Sequence, residues 1–446
     1  MLIRFVVNNF LSFREETEFS MIAGNYKTHA EHVYSNNGKL NILKSAAIYG
    51  ANGAGKSNLV KAIHFLQEVV FSGEIKEPID NKKFKLDISN AEKPISFEIE
   101  FSIGKKIYSY GVSLIDFSIS EEWLYESGVT KKDKLIFERT QTKEGKSSIK
   151  MASKYQKTPK DRLLIKLMEE NLLKNNELFL GKNDTLKILE IKHVWDWIVD
   201  SLIIIYPGSK FDGLVPSISS KRFNNFTNEL LKTLDTGVNG LGIDIIDFDM
   251  FFAKYDDSIK KDVLQKLNNE KTLLFRSDIG TVFVVKKDEK ISVLKVISLH
   301  NSPLNKDIIF DISDESDGTQ RLLDLIPAFD RIIQYDQTFI VDEIDRSLHP
   351  ALLKSLVRKI MEDNTTKGQL VFTTHESNLL DMDIFRQDEI WFVEKDRKTC
   401  GTQLYSLSEY KPRYDLDIRK GYLNGRFGAI PFLANLEDLN WHTQNA

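Results

Sequence analysis

Apolar and polar residues alternate through residues 2–22, LIRFVVNNFLSFREETEFSMI, and this period of two predicts strands and a hairpin. A short hydrophobic segment, Ser45 to Tyr49, then enters a glycine-containing loop and leads into NLVKAIHFLQEVV, whose apolar spacing is helical. Period two returns over 95–140, with turn residues at Gly104 and Asp116, and predicts an antiparallel sheet. From about 145 to 270 the texture changes. DRLLIKLMEENLLKNNELF and TLKILEIKHVWDWIVDSL carry helical spacing between Lys-rich loops, without an internal repeat or sustained heptads. Strand texture resumes at 272–298. It is followed by a helix (319–335), the buried strand TFIVDE, a helix (350–362), the strand GQLVFTTH and a closing strand EIWFVEKD. Strands alternating with helices predict a parallel sheet. The expected fold class is therefore α/β: a parallel α/β core, an antiparallel β lobe and a mainly helical insertion. The expected division is 1–144, 145–270 (the insertion), 271–400 and a C-terminal tail at 401–446.

Composition narrows the chemistry. Apolar residues at 41% and charged residues at 28% fit an ordinary globular chain with a substantial core. A net charge of −4 argues against a basic nucleic-acid coat, though a local basic face remains open. The single cysteine, Cys400, excludes an internal disulfide, and no Cys/His cluster reads as a zinc site, so a reducing cytoplasm fits. Neither a signal peptide nor a membrane span is legible, so a cytoplasmic location without a membrane partner is expected.

Four motifs carry chemistry. Gly50, Gly55, Lys56 and Ser57 complete G-x-x-x-x-G-K-[ST] between a predicted strand and a predicted helix. The backbone of Asn52, Gly53, Ala54, Gly55, Lys56, Ser57 and Asn58 would cradle phosphates at a helix N-terminus. Lys56 would reach the β- and γ-phosphates, and Ser57 would ligate Mg²⁺. The second motif, TFIVDEID (338–345), delivers two carboxylates at a strand end, where α/β ligand sites form. Asp342 would join the Mg²⁺ shell and Glu343 would polarise an attacking water. Taken alone, such a pair is as often just a strand end. The third is DESDGTQRLLDL (314–325), where Ser316 and Gly318 precede a helix. They offer an anion site or, more commonly in isolation, a helix cap. In the fourth, VFTTHESNLL (371–380), His375 follows a strand and is placed to contact a γ-phosphate.

In this order the motifs resemble the ABC-type ATPases of the SMC/RecF/OLD class. FVVNNFLSF is similar to that class's NF-x-SF opening, DEIDRSLHP to its Walker B and D-loop, and ESDGT to a degenerate signature. Within the class, ESDGTQRLLDLIPAF, THESNLLD, DEIWFVEKD and GYLNGRFGAIPF resemble stand-alone ATP-binding subunits of bacterial anti-phage systems, RloA-like and, more distantly, PARIS. Gln141 and Gln156 are candidates for the Q-loop glutamine by position only.

The resemblance implies ATP and Mg²⁺ as cofactors, with Glu343, His375 and Lys56 as catalytic residues. It also implies a split site completed by Ser316 and Gly318 of a second copy. It further implies a separate effector, such as an RloB-like or Toprim-type nuclease. Only about 50 residues follow EIWFVEKD, too few for a Toprim domain, and Asp247–Asp249 imitates its D-x-D without the expected surroundings. In the tail, Lys411, Arg413, Arg419, Lys420 and Arg426 mix with Tyr414, Tyr422 and Phe427. They would bind nucleic acid or a protein, or the aromatics would simply pack on the core. The alternative function is a RecF-like repair ATPase that binds DNA directly.

Overall fold

The computed structural model describes residues 1–430 except 37, 39, 129–131, 143–145, 278–279, 289, 304–306 and 414–415. It divides into two compact units. The first comprises residues 1–207, 334–345 and 354 onward; the second comprises 208–333 and 346–353. The strands in chain order are β1 (Leu2–Asn8), β2 (Thr17–Ser20), β3 (Val33–Asn36), β4 (Leu40–Leu43), β5 (Ser45–Gly50), β6 (Ile95–Ile103), β7 (Lys106–Ile115), β8 (Ser118–Ser127), β9 (Lys134–Gln141) and β10 (Ser147–Met151). They continue as β11 (Leu202–Ile205), β12 (Gly240–Asp247), β13 (Thr272–Ser277), β14 (Gly280–Lys287), β15 (Lys290–Asn301), β16 (Asp307–Asp311), β17 (Thr338–Val341), β18 (Gln369–Thr374), β19 (Ile390–Lys395) and β20 (Thr402–Ser406).

The first unit holds two large sheets. One is antiparallel in the order β10-β9-β8-β7-β6-β1-β2. Its strands keep the alternation of the sequence: in β6 Ile95, Phe97, Ile99 and Phe101 are buried, and Ser96, Glu98 and Glu100 between them are half-exposed. Gly104 and Asp116, both at positive φ, make its predicted turns. The other sheet runs β11-β17-β18-β5-β19-β20, parallel throughout except for the antiparallel pair β19–β20. β5, β17 and β18 are buried at every position, as expected for parallel strands covered on both faces. Helix α1 (Lys56–Ser72) packs Leu59, Ile63, Leu66 and Val70 into the core and ends at Gly73, whose left-handed backbone closes the last turn onto Val69 and Val70 carbonyls.

Gln369, fully buried at the start of β18, joins the two sheets. Its Nε2 donates to the carbonyls of Leu2 (2.9 Å) and Leu43 (2.8 Å). Its Oε1 accepts from Leu2 N (2.5 Å) and Thr338 Oγ1 (2.8 Å), so all its capacity is used.

The second unit carries an antiparallel sheet, β12-β15-β14-β13, with β16 beside β15. Its core gathers Phe248, Phe251, Phe252, Val263, Leu267, Val282, Val284 and Val293. Helix α2 (Asp317–Gln334) begins in this unit, and α3 (Pro350–Glu362) follows β17 in the chain. Among the described residues no helix is long and apolar enough to cross a membrane.

The region expected as one helical insertion, 145–270, is divided differently. Its first part belongs to the first unit because Met168, Phe179, Ile191, Val194 and Ile198 are buried in that unit's core. Its last part supplies β12, so the expected boundary at 270 would cut through one sheet. The helical spacing was real, but spacing does not say which core a helix faces. Asp247 caps a five-residue helix, its Oδ1 accepting from Asp249 N and Met250 N. The described part of the tail likewise belongs to the first unit. β20 pairs with β19, and Tyr422 and Phe427 are buried against Phe392, while Lys411, Arg413, Arg419, Lys420 and Arg426 are exposed. Tyr414 lies outside the described residues.

Replacing Gln369 by Leu takes the amide partner from the Leu2 and Leu43 carbonyls and from the Thr338 hydroxyl in the interior, at about 1–3 kcal/mol for each group left unsatisfied, and leaves Leu2 N–H only its longer bond to Thr338 Oγ1. The expected outcome is a fall in apparent stability of at least about 2 kcal/mol, measured from the urea midpoint, whereas an unchanged midpoint contradicts the sheet-joining role.

Candidate functional site

The C-terminal ends of β5, β17 and β18 bring three loops of the first unit together. The first is the turn from Gly50 into α1. Gly55, at φ 118°, precedes the helix, and a Cβ there would lie 2.2 Å from Thr402 Oγ1, so only glycine fits. The same hydroxyl donates to Ala54 O (2.8 Å) and is hydrogen-bonded to the Ser12 hydroxyl (2.7 Å), and Asn58 Nδ2 donates to Ser12 Oγ (2.8 Å). These bonds hold the loop from behind. Among the described residues, the backbone N–H groups of Gly53, Gly55, Lys56 and Ser57 find no protein acceptor. A run of such donors at a helix start is an anion cradle.

Lys56 is buried, and its Nζ donates to Gly50 O (2.7 Å) and Ala51 O (3.3 Å) and lies 3.4 Å from His375 Nδ1. Burial lowers its pKa to about 8, against the pull of Asp342, Asp345 and Glu343. His375 is held below the usual histidine range by burial and then by Lys56.

The second loop follows β17. Asp342 Oδ1 accepts from Ser57 Oγ (3.2 Å) and from Thr373 Oγ1 (2.6 Å). Glu343 adopts φ 49°, an uncommon left-handed conformation for a non-glycine residue, and its N–H donates to Thr373 Oγ1 (2.8 Å). Among the described residues no hydrogen bond engages its half-buried carboxylate. The third loop, after β18, places His375 so that its N–H reaches Asp345 Oδ1 (3.4 Å). Beside them the Tyr206 hydroxyl is pushed up to about 12, by burial first and then by Asp342.

Asn52, Gly53, Ala54, Gly55, Lys56, Ser57, Asn58, Asp342, Glu343 and His375 thus gather in the first unit. Ser316 and Gly318 belong to the second, at the start of α2. Ser316 Oγ accepts from Thr319 N (3.1 Å), which is the geometry of a helix cap. A Cβ on Gly318 would come within 2.8 Å of Ser347 O, so this glycine lets the Ser347 backbone approach the helix. Gln141 pairs with Ser147 in the outermost hairpin, and Gln156 donates back to Met151 O (2.7 Å). Neither hydrogen-bonds to the phosphate-loop residues among the described residues.

Sequence reasoning missed Ser12, Thr373, Thr402 and Tyr206. Two had a signal: Ser12 sits between Phe10 and Phe13 in the NF-x-SF run, and Thr373 breaks an apolar strand. Thr402 and Tyr206 had none.

No curated protein matches the sequence. Among solved structures, the SMC head domain from Thermotoga maritima is similar at 12% identity and TM-score 0.41, covering 91% of this chain and 98% of that one. An Smc head domain with an extended coiled coil, bound to the C-terminal domain of ScpA derived from Pyrococcus furiosus, is similar at 13% identity and TM-score 0.42, covering 92% and 97%. A family model matches residues 45–175 and 214–381, well over half of the chain and including the phosphate loop, Asp342, Glu343 and His375. The chain belongs to the P-loop family described as "AAA domain, putative AbiEii toxin, Type IV TA system".

Proposed function

We propose that this chain binds and hydrolyses ATP, closes on a second copy of itself through the nucleotide, and controls a separate effector, a nuclease, in a bacterial anti-phage defence complex. The observation that carries the ATPase reading is the convergence of unpaired loop amides, Lys56, Ser57, Asp342 and Glu343 at three neighbouring strand ends. The family description names a type IV toxin–antitoxin system, which supports a two-component arrangement. The defence role and the effector rest on the motif resemblance.

Ser57 Oγ and Asp342 Oδ1, 3.2 Å apart beside the amide cradle, fit a hard cation that keeps water and phosphate oxygens as its other ligands. They would hold Mg²⁺, which when bound supplies neutralisation of charge on the β- and γ-phosphates. Lys56 exchanges its two carbonyl partners for phosphate oxygens. Thr373 fixes Asp342 and the backbone of Glu343, leaving the Glu343 carboxylate to take a proton from water. His375, neutral beside Lys56, contacts the γ-phosphate end. Ser316 and Gly318 of the second copy complete the site. The RecF-like alternative would use the basic tail, but Tyr422 and Phe427 are buried and not free to stack on bases.

Glu343→Gln keeps the size of the side chain but cannot accept the proton. Turnover is expected to fall by about 10²–10⁴-fold while ATP binding persists, and the mass of the particle with ATP and Mg²⁺ should double. A variant that binds ATP and stays monomeric contradicts closure; one that keeps full turnover contradicts the role of Glu343.

Lys56 gives a pH signature. Its pKa of about 8 in the free protein rises when phosphates surround it, so binding takes up a proton above that pH. ATP affinity is therefore complete below about pH 8 and weakens as pH rises through it, by up to about tenfold per unit. Calorimetric titrations at pH 7, 8 and 9 measure this, and affinity that is flat across the series contradicts it.

A further inference from the structure

The loop between β2 and β3 carries a cluster with no part in the phosphate site. His29, in a left-handed conformation, leads into a single helical turn, Ala30–His32. One ligand atom each from His29, Glu31 and His32 lies within 4.8 Å of the others. Glu31 Oε1 is 3.3 Å from His29 Nδ1 and 3.8 Å from His32 Nε2.

The outer nitrogens of both rings are already engaged, and this fixes the tautomers of the neutral rings. His29 Nε2 lies 2.9 Å from Met382 O, a group that only accepts, so Nε2 carries the proton and Nδ1 the lone pair. His32 Nδ1 lies 2.9 Å from the Glu389 carboxylate and donates to it, leaving its Nε2 lone pair inward. Glu389 is fully buried and also accepts from Ser45 Oγ (2.5 Å) and Arg386 N (2.8 Å). Two imidazole lone pairs and one carboxylate oxygen therefore converge, each imidazole backed by a carbonyl or carboxylate, as metal-binding histidines are.

The spacing suits a small cation. Metal–ligand bonds of roughly 2.0–2.1 Å in a tetrahedron set ligand atoms about 3.3–3.4 Å apart. The approach to the cluster is held in advance: buried Arg386 donates to the carbonyls of Gly24 (2.9 Å), Tyr26 (3.2 Å) and Thr28 (2.9 Å). Gly24 N in turn donates to Asp388 (2.6 Å).

We propose that His29, Glu31 and His32 bind one divalent transition-metal ion of the zinc class, with the fourth position open to water. Two imidazoles and one carboxylate favour such an ion over Mg²⁺ or Ca²⁺, which prefer oxygen alone. The ion ties this loop to Met382 and Glu389 and, through Ser45, to the first residue of β5.

The test uses the full chain, stripped by chelator and titrated with Zn²⁺ against a chromophoric chelator, with Co²⁺ absorption reporting tetrahedral ligation. The expected result is one ion per chain and a melting temperature raised by Zn²⁺. His29→Ala and Glu31→Gln, both at partly exposed side chains, should weaken zinc binding by more than the roughly 10–100-fold typical of losing a backing partner. Both should retain ATP binding, and neither should show the rise in melting temperature on adding Zn²⁺. Absence of stoichiometric binding, or equal binding by both variants, overturns the site and leaves a hydrogen-bonded histidine pair only.

Discussion

Thr373 can bridge the Asp342 carboxylate and the Glu343 N–H only because β17, β18 and β5 run parallel in one register. Val341 pairs with Phe372, and Phe372 with Ala47, so β17 ends while β18 runs on, and Asp342 and Glu343 come beside Thr373. Side chains alternate along a strand, and a slip of one residue would turn Thr373 to the opposite face. The bridge would be lost, Asp342 would no longer meet Ser57, and Glu343 would lose the bond that steadies its left-handed backbone. The register is held by burial on both faces and by Gln369, whose amide joins β18 to β1, β17 and the end of β4.

Charge is arranged around that frame. Lys56 lies under the loop amides, its ammonium resting on two backbone carbonyls, and burial weakens its hold on the proton. Backbone carbonyls are weak partners for a buried cation compared with phosphate oxygens. The structure thus holds Lys56 ready for anionic partners, while Ser12 and Thr402 support the loop through Asn58 and Ala54.

Much of this was legible in the sequence, and the failures share a cause. The phosphate loop and the Asp-Glu strand are local patterns, and their strands and helices form where the hydrophobic periods place them. The helix predicted at 350–362 spans Pro350–Glu362, and the strand in GQLVFTTH is Gln369–Thr374. Long-range partners were not legible. Ser12 and Thr402 meet across 390 residues of chain, and no local period encodes such a meeting. The helices before residue 207 carried the right spacing but gave no sign of which core they enter. Ser316 shows a further limit: capping its helix and serving a partner's phosphate ask for the same residue in the same place.

The central claim is that the phosphate loop of one copy is completed by Ser316 and Gly318 of another, and mixing two inactive variants tests it most directly. Lys56→Ala disables the loop, and Ser316→Arg disables the helix start. In a mixed pair both lesions fall in one site, and the other site is built from two intact halves. Neither variant alone should hydrolyse ATP, and an equimolar mixture should recover a substantial fraction of wild-type turnover, greatest near equal proportions. If turnover stays at background at every ratio although both variants fold and the mixed pair forms, the site is not shared between copies and the account is wrong.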